Sequence, residues 1–257
     1  MARARSAIAP ATLGTLNASV AWTVAAWAKG LDEPPARPSA RERAIGPSPT
    51  LQPTLRIEGN PIGQSPAALD VALRGAIRTA PTSRSADRLL TWSGSLGEQL
   101  FAPDPRTWMA AGWRAFEALC DQLGPTLGTL GWTLSFQPHA RHVLSDAKGC
   151  REFLARRSGQ PFEVALAPAT MLELSMLPRL EDHLVRMFEA LGPVAALVVL
   201  EDVQMDADED GLPRRTALGG GRLPRDLVLS LLREHVPERT PVMLRQERLP
   251  EQLAWLT

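Results

Sequence analysis

WTLSFQPHARHVLSDAKGCREFLARRSGQPFEVALAPATMLELSMLPRLEDHLVRMFEALGPVAALVVLEDV (132–203) alternates short apolar runs with amphipathic stretches of helical length. WTLSFQPH (132–139), FEVALAP (162–168) and AALVVLEDV (195–203) read as strands, with helices expected over Asp146–Arg157 and Met176–Leu191 between them. Ser145 and Asp146 suit the cap of the first helix, and Gly192 with Pro193 stop the second. Strands separated by helices are joined by crossovers and run parallel. Val164–Leu166 and Ala195–Leu200 are apolar without interruption, as strands of a parallel sheet covered on both faces should be.

The rhythm extends outward from this stretch. Before it come LRIEGNP (55–61) and RLLTWSGS (88–95) as strands, with helices PAALDVALRGAIR (66–78) and DPRTWMAAGWRAFEALCDQLG (104–124); after it come a helix over Pro224–His235 and a strand PVMLRQE (241–247). Pro105 and Pro224 suit first helical turns. Toward the N-terminus, Val20–Leu31 (VAWTVAAWAKGL) is alanine-rich and predicts a buried helix after a short strand near Leu13–Asn17. Prolines recur over 32–53, which predicts a loop or an eroded β/α unit with a weak strand near Ala44–Gly46. The first strand-to-helix turn lacks the glycine fingerprint of a dinucleotide site. At 257 residues, the expected architecture is a single α/β domain over 1–257, a (β/α)8 TIM barrel.

Composition narrows the function. Hydrophobic residues make up 44% and charged residues 22% of the chain, enough for a sizeable core. Basic and acidic residues both number 28, so no net field draws the protein to nucleic acid or an anionic membrane. No apolar run has the length of a membrane span, and the N-terminus carries no sustained apolar core of an export signal. Cys120 and Cys150 have no metal-binding spacing, and a cytoplasmic protein is expected.

From about Ala67 to Glu247 the chain resembles the sugar phosphate isomerase/epimerase group of the xylose isomerase-like TIM barrels, a superfamily that also includes endonuclease-four-type DNA repair enzymes. The resemblance is carried by LSFQPHARHVLSD (134–146), FEVALAPATM (162–171), VAALVVLEDVQ (194–204) with ALGGGRLPRDLVLSLLREH (217–235), and PVMLRQE (241–247). In such enzymes four strand ends supply carboxylate or imidazole ligands to a divalent metal. The matching positions here are Gln137, Ala167, Val199 and Arg245. A neutral amide, two alkyl groups and a guanidinium are poor company for a hard cation. The resemblance therefore implies a barrel without the usual metal site and no cofactor, either a non-catalytic carbohydrate-binding or partner-binding homologue or an active sugar isomerase/epimerase with an altered site. A divalent metal enters only under the second alternative, and a metal-dependent DNA-repair nuclease is disfavoured by the neutral charge balance.

The residues expected to do the work lie just past strand ends, where barrel sites are built. His139, Glu58, Asp202 and Glu247 are the candidate acids and bases; Trp92, Gln137, His142 and Arg245 are the candidate contacts to a small sugar-like ligand. Each has a plainer alternative as a packed or solvated residue. Asp206–Gly211 imitates half a calcium loop but has Ala217 where the bidentate glutamate belongs, so a solvated acidic loop is expected. Gly219-Gly220-Gly221 reads as a structural turn, and the oligomeric state is not legible.

Overall fold

A computed structural model of the protein describes residues 17–24, 51–78, 88–238, 240–245 and 247–256, with the backbone alone described at 17–24, 51–56, 58, 76 and 78. Seven strands pair into a closed ring: β1 (Asn17–Val24), β2 (Leu51–Glu58), β3 (Arg88–Trp92), β4 (Thr133–Gln137), β5 (Phe162–Leu166), β6 (Leu197–Val199) and β9 (Val242–Met243). Each neighbouring pair from β2 through β6 to β9 is parallel. β1 closes the ring antiparallel to both β2 and β9. The described strands are thus an α/β barrel with one reversed member, not a complete set of eight β/α units. β7 (Asp202–Ala207) and β8 (Pro213–Thr216) form a separate antiparallel hairpin.

Helices α1 (Pro66–Arg78), α2 (Ala110–Leu130), α3 (Ala147–Arg156), α5 (Leu180–Leu191) and α6 (Arg225–His235) occupy the crossovers, with one short turn α4 (Pro168–Met171) after β5 and a terminal helix α7 (Leu249–Leu256). Asp146 caps α3 as expected, its Oδ1 accepting from the Gly149 N–H at 2.8 Å. Glu181 and Asp182 stand in the first turn of α5, where the helix dipole favours them. Among the described residues, no helix is long and apolar enough to cross a membrane.

Alternation along the strands sorts side chains between two compartments. Leu89, Leu134, Phe136, Val164, Leu166, Val198 and Val242 join the large core against the helices. Leu90, Ala165, Ala167, Leu197, Val199 and Met243 form a second, smaller cluster inside the ring. The outer core is knitted by rings: Phe116 of α2 meets Phe136 of β4 edge-on at 4.8 Å and Phe153 of α3 at 5.0 Å, and Phe136 stacks on Phe162 of β5 at 6.0 Å. All but Phe162 are completely buried.

Several expectations change. Where a helix was expected over Val20–Leu31, residues Asn17–Val24 are strand β1; the short strand near Leu13–Asn17 touches it only at Asn17. Eight-residue pairing with β2 overrides alanine's helix preference, and Val20, Trp22, Thr23 and Val24 suit a strand in any case. Residues 51–53 of the proline-rich segment belong to β2, while 32–50, with the weak strand near Ala44–Gly46, lie outside the described residues. The expected strand Ala195–Val203 divides into β6 and β7 at Leu200 and Glu201. The helix expected at Asp104–Gly124 begins as a 3-10 turn (Pro105–Trp108) and continues past Pro125 to Leu130, because Leu127 is fully buried. The acidic run Asp206–Gly211 lies at the turn of the β7–β8 hairpin, with Asp208 accepting from the Asp210 and Leu212 N–H groups.

At the start of α2 a glycine is obligatory. A Cβ at Gly112 would lie 2.0 Å from the carbonyl oxygen of Thr107. Alanine in a helix interior is ordinarily better than glycine by about 1 kcal/mol. Here the clash should win: Gly112→Ala is expected to lose roughly 1–3 kcal/mol in urea denaturation, and a gain in stability would show that the turn and helix are not in contact.

Candidate ligand site at the barrel mouth

Trp92 and Gln137 end neighbouring parallel strands and are paired Cα to Cα, so they stand side by side at the C-terminal mouth. Trp92 is 3% exposed and Gln137 1%. The chain leaving β4 is tied back to β3: the Val143 N–H donates to the Gly94 carbonyl and the Leu144 N–H to Ser93 Oγ. Within this loop the His139 N–H donates to the Leu144 carbonyl. These bonds hold His139 and His142 over the strand ends.

The two imidazoles, Trp92 and Phe101 form one aromatic cluster. His139 and His142 are 4.6 Å apart, Trp92 meets both edge-on at 5.5 and 5.3 Å, and Phe101 lies 4.6 Å from His139 and stacks on His142 at 5.5 Å. His139 Nδ1 accepts from the Arg141 N–H at 3.1 Å, which puts the proton of the neutral ring on Nε2. His142 Nε2 donates to the Leu100 carbonyl at 3.0 Å, leaving Nδ1 as an acceptor. Burial pushes His139 down to about 2, helped by His142, Arg215 and Arg141, and His142 down to about 3 against the opposing pull of the Leu100 carbonyl.

Four buried polar atoms at this mouth have no hydrogen-bond partner: Gln137 Nε2, Gln137 Oε1, His142 Nδ1 and, in the loop between the two histidines, Arg141 Nε, whose guanidinium pairs with Glu173 through Nη1 at 3.4 Å. An unpaired buried polar atom costs roughly 1–3 kcal/mol, which makes such atoms rare and informative.

The acids behave otherwise. Asp202, 1% exposed, accepts from the backbone N–H groups of Val203, Gly219 and Leu223 at 2.8, 3.0 and 2.8 Å. It shapes the glycine turn, where a Cβ at Gly221 would come within 2.3 Å of the Val203 carbonyl. Glu247 is paired with Arg245. Arg245 also reaches Glu201 at 3.2 Å, and Glu201 pairs on its other oxygen with Arg215 at 3.4 Å. Arg215 in turn lies 5.9 Å over the Phe101 ring. Glu58 is the last residue of β2, and its side chain lies outside the described atoms.

Of the eight residues singled out from sequence, Trp92, Gln137, His139 and His142 gather at one place. Asp202 is engaged by a turn, and Arg245 and Glu247 belong to an ion-pair chain. Phe101, Glu201 and Arg215 were not singled out. Phe101 follows a strand end by nine residues, and Glu201 directly follows the apolar run AALVVL, but their convergence is a matter of tertiary structure.

Gln137, Ala167, Val199 and Arg245 carry an amide, a methyl, an isopropyl and a guanidinium, none of them a carboxylate, thiolate or imidazole. Among the described residues, no group of three His, Cys, Asp or Glu side chains could hold a metal ion. Burial also lifts the Cys120 thiol to about 12 and raises that of Cys150, so neither is a thiolate at neutral pH.

No family model matches the chain, and no curated protein matches it. Among solved structures it is similar to D-psicose 3-epimerase in the presence of D-fructose, with a TM-score of 0.46 and 15% identity over 66% of this chain and 52% of that one. It is also similar to IolI protein with a bound zinc atom, with a TM-score of 0.42 and 14% identity over 74% of this chain and 66% of that one. The chain therefore spans about half the length of the first and just under two thirds of the second.

Two measurements follow from this geometry. As pH falls below about 6.5, the unfolded chain protonates both imidazoles while the folded chain does not, so their contribution to stability falls with pH by up to about 1.4 kcal/mol per unit for each ring. In 15N NMR both rings should remain neutral at pH 5, and a ring titrating near 6.5 would contradict the burial. Asp202→Ala strands three backbone N–H groups, and a loss of about 3 kcal/mol is expected in chemical denaturation.

Proposed function

We propose that this protein is a sugar isomerase/epimerase-like barrel that binds a small, uncharged, sugar-like ligand at its mouth without a divalent metal. The observation that carries this reading is the Gln137 amide, a donor and an acceptor buried together with no partner at the end of β4. Adjacent hydroxyls of a polyol can accept from Nε2 and donate to Oε1 at once. His142 Nδ1 offers a further acceptor, and the aromatic faces of Trp92 and Phe101 suit the apolar faces of a sugar ring.

Charge supports an uncharged ligand. The imidazoles are held neutral, and the two guanidiniums that act on them, Arg215 and Arg141, are paired with Glu201 and Glu173. A barrel that binds without turning over fits the engagement of Asp202 by three backbone amides and of Glu247 by Arg245, since both carboxylates are already occupied by donors of the protein itself.

Calorimetric titration with a panel of ketoses and cyclic polyols, with EDTA or with added manganese, tests the reading. Binding unaffected by EDTA is expected; stoichiometric metal with turnover of a ketose would overturn it. Gln137→Met removes both unpaired atoms with little change in shape. It should raise unfolding stability by about 1–3 kcal/mol while weakening sugar binding at least about tenfold, the loss of about 1.4 kcal/mol of binding free energy. A loss of stability with affinity unchanged would show that the amide is structural.

A further inference from the structure

The chain leaves β3 through Ser95 and returns at Thr107, and these two ends are bonded to each other. Ser95 Oγ and Thr107 Oγ1 are 3.3 Å apart, the Leu96 N–H donates to Thr107 Oγ1 at 3.0 Å, and the Gly97 N–H donates to Ser95 Oγ at 3.0 Å. The neck is anchored from outside as well, by Asn60, whose side chain donates to the Ser95 carbonyl and accepts from the Ser95 N–H. Ser95 and Thr107 are buried, at 1% and 0% exposure. Between them, no residue from Leu96 to Arg106 is buried. A segment closed at its neck and carrying its own turn, the Ala102 N–H to the Gln99 carbonyl, is an Ω-loop.

The tip of this loop covers the site. Phe101 lies over His139, His142 and Trp92, and the Leu100 carbonyl accepts from His142 Nε2. The residues beneath are 1%, 0% and 3% exposed, while Phe101 itself is only half-buried. The neck is therefore fixed by buried hydrogen bonds, whereas the tip rests on the Phe101 ring, with Arg215 5.9 Å over it, and on one carbonyl.

We propose that residues Ser95–Thr107 form a gate on the barrel mouth, with Phe101 as its plug and the His142–Leu100 hydrogen bond as its latch. A ligand reaches Gln137 only when the tip lifts on its fixed neck. What the gate admits rests on the ligand reading above; that it opens does not.

Neutral imidazoles react with diethyl pyrocarbonate once they are exposed, so carbethoxylation of His139 and His142, located by mass spectrometry on the full chain, reports the opening. In the wild-type protein both should be modified at least about tenfold faster than the β3 and β4 backbone amides undergo global opening in hydrogen exchange. Phe101→Ala should speed modification of both by a further tenfold or so without changing exchange in β4, and Phe101→Leu should fall between. Modification of the wild type that keeps pace with global unfolding overturns the gate, and this comparison decides the matter even where Phe101→Ala does not fold. A mouth that opens but binds none of the titrated sugars overturns the ligand reading alone. One that binds them while His142 stays inaccessible overturns the gate alone.

Discussion

The two-residue period of β4 governs the rest of the molecule. Phe136 points out of the ring into the cluster formed by Phe116, Phe153 and Phe162, and its neighbour Gln137 takes the opposite face. A slip of one residue would carry Phe136 into the barrel and the amide into the helical layer. The rings from α2, α3 and β5 make that slip prohibitive, because a buried phenylalanine contributes about 3–5 kcal/mol when truncation data are used as the guide. Packing on the outside of the sheet thus supports an unsatisfied polar group on the inside.

The loops at the mouth are built by a common device, in which a strand-end or nearby polar side chain engages the backbone of the following loop. Ser93 takes the Leu144 N–H, Asn60 brackets Ser95, Asp202 collects three amides, and Gln252 of α7 donates to the Arg245 and Glu247 carbonyls while accepting from the Leu218 N–H. Against that background of satisfied groups, the bare amide of Gln137 and the bare Nδ1 of His142 stand out. The acids of the mouth hold structure together, while the Gln137 amide and His142 Nδ1 are left without protein partners.

The legible parts of the chain were those whose cause is local. Continuous apolar runs located β3 to β6, Asp146 announced the start of α3, and strand ends pointed to Trp92, Gln137 and His139. What escaped was decided by partners distant in sequence. The alanine-rich run Val20–Leu31 has no periodicity that separates strand from helix, and for its first residues, 20–24, antiparallel pairing with β2 and β9 settles it. The β7–β8 hairpin is polar on its outer half, with Gln204 to Asp206 partly or fully exposed, so it lacks the alternation that marks a half-buried strand. Asp202 was visible as an acid at a strand end, but its role depends on Gly219 and Leu223 arriving at hydrogen-bond distance. Phe101 lies in a loop, where nothing local fixes a side chain's direction.

The charge arrangement bears on what an amide, and not a carboxylate, at position 137 means for the mouth. A carboxylate at position 137, desolvated beside Trp92 and two neutral imidazoles, would need a cation to remain ionised. The guanidiniums of Arg215 and Arg245 are already joined through Glu201, and that of Arg141 is paired with Glu173. An amide removes that demand and leaves a group that gains from a neutral donor-acceptor pair and nothing from a bare charge. The imidazoles follow the same logic: burial keeps them uncharged, and an uncharged imidazole beside Arg215 is compatible with the guanidinium stacked over Phe101, whereas an imidazolium there would be repelled. Gln137 and the two imidazoles are neutral, and Arg215, Arg245, Glu201 and Glu247 are paired among themselves, which is the physical basis on which an uncharged guest is proposed for this mouth.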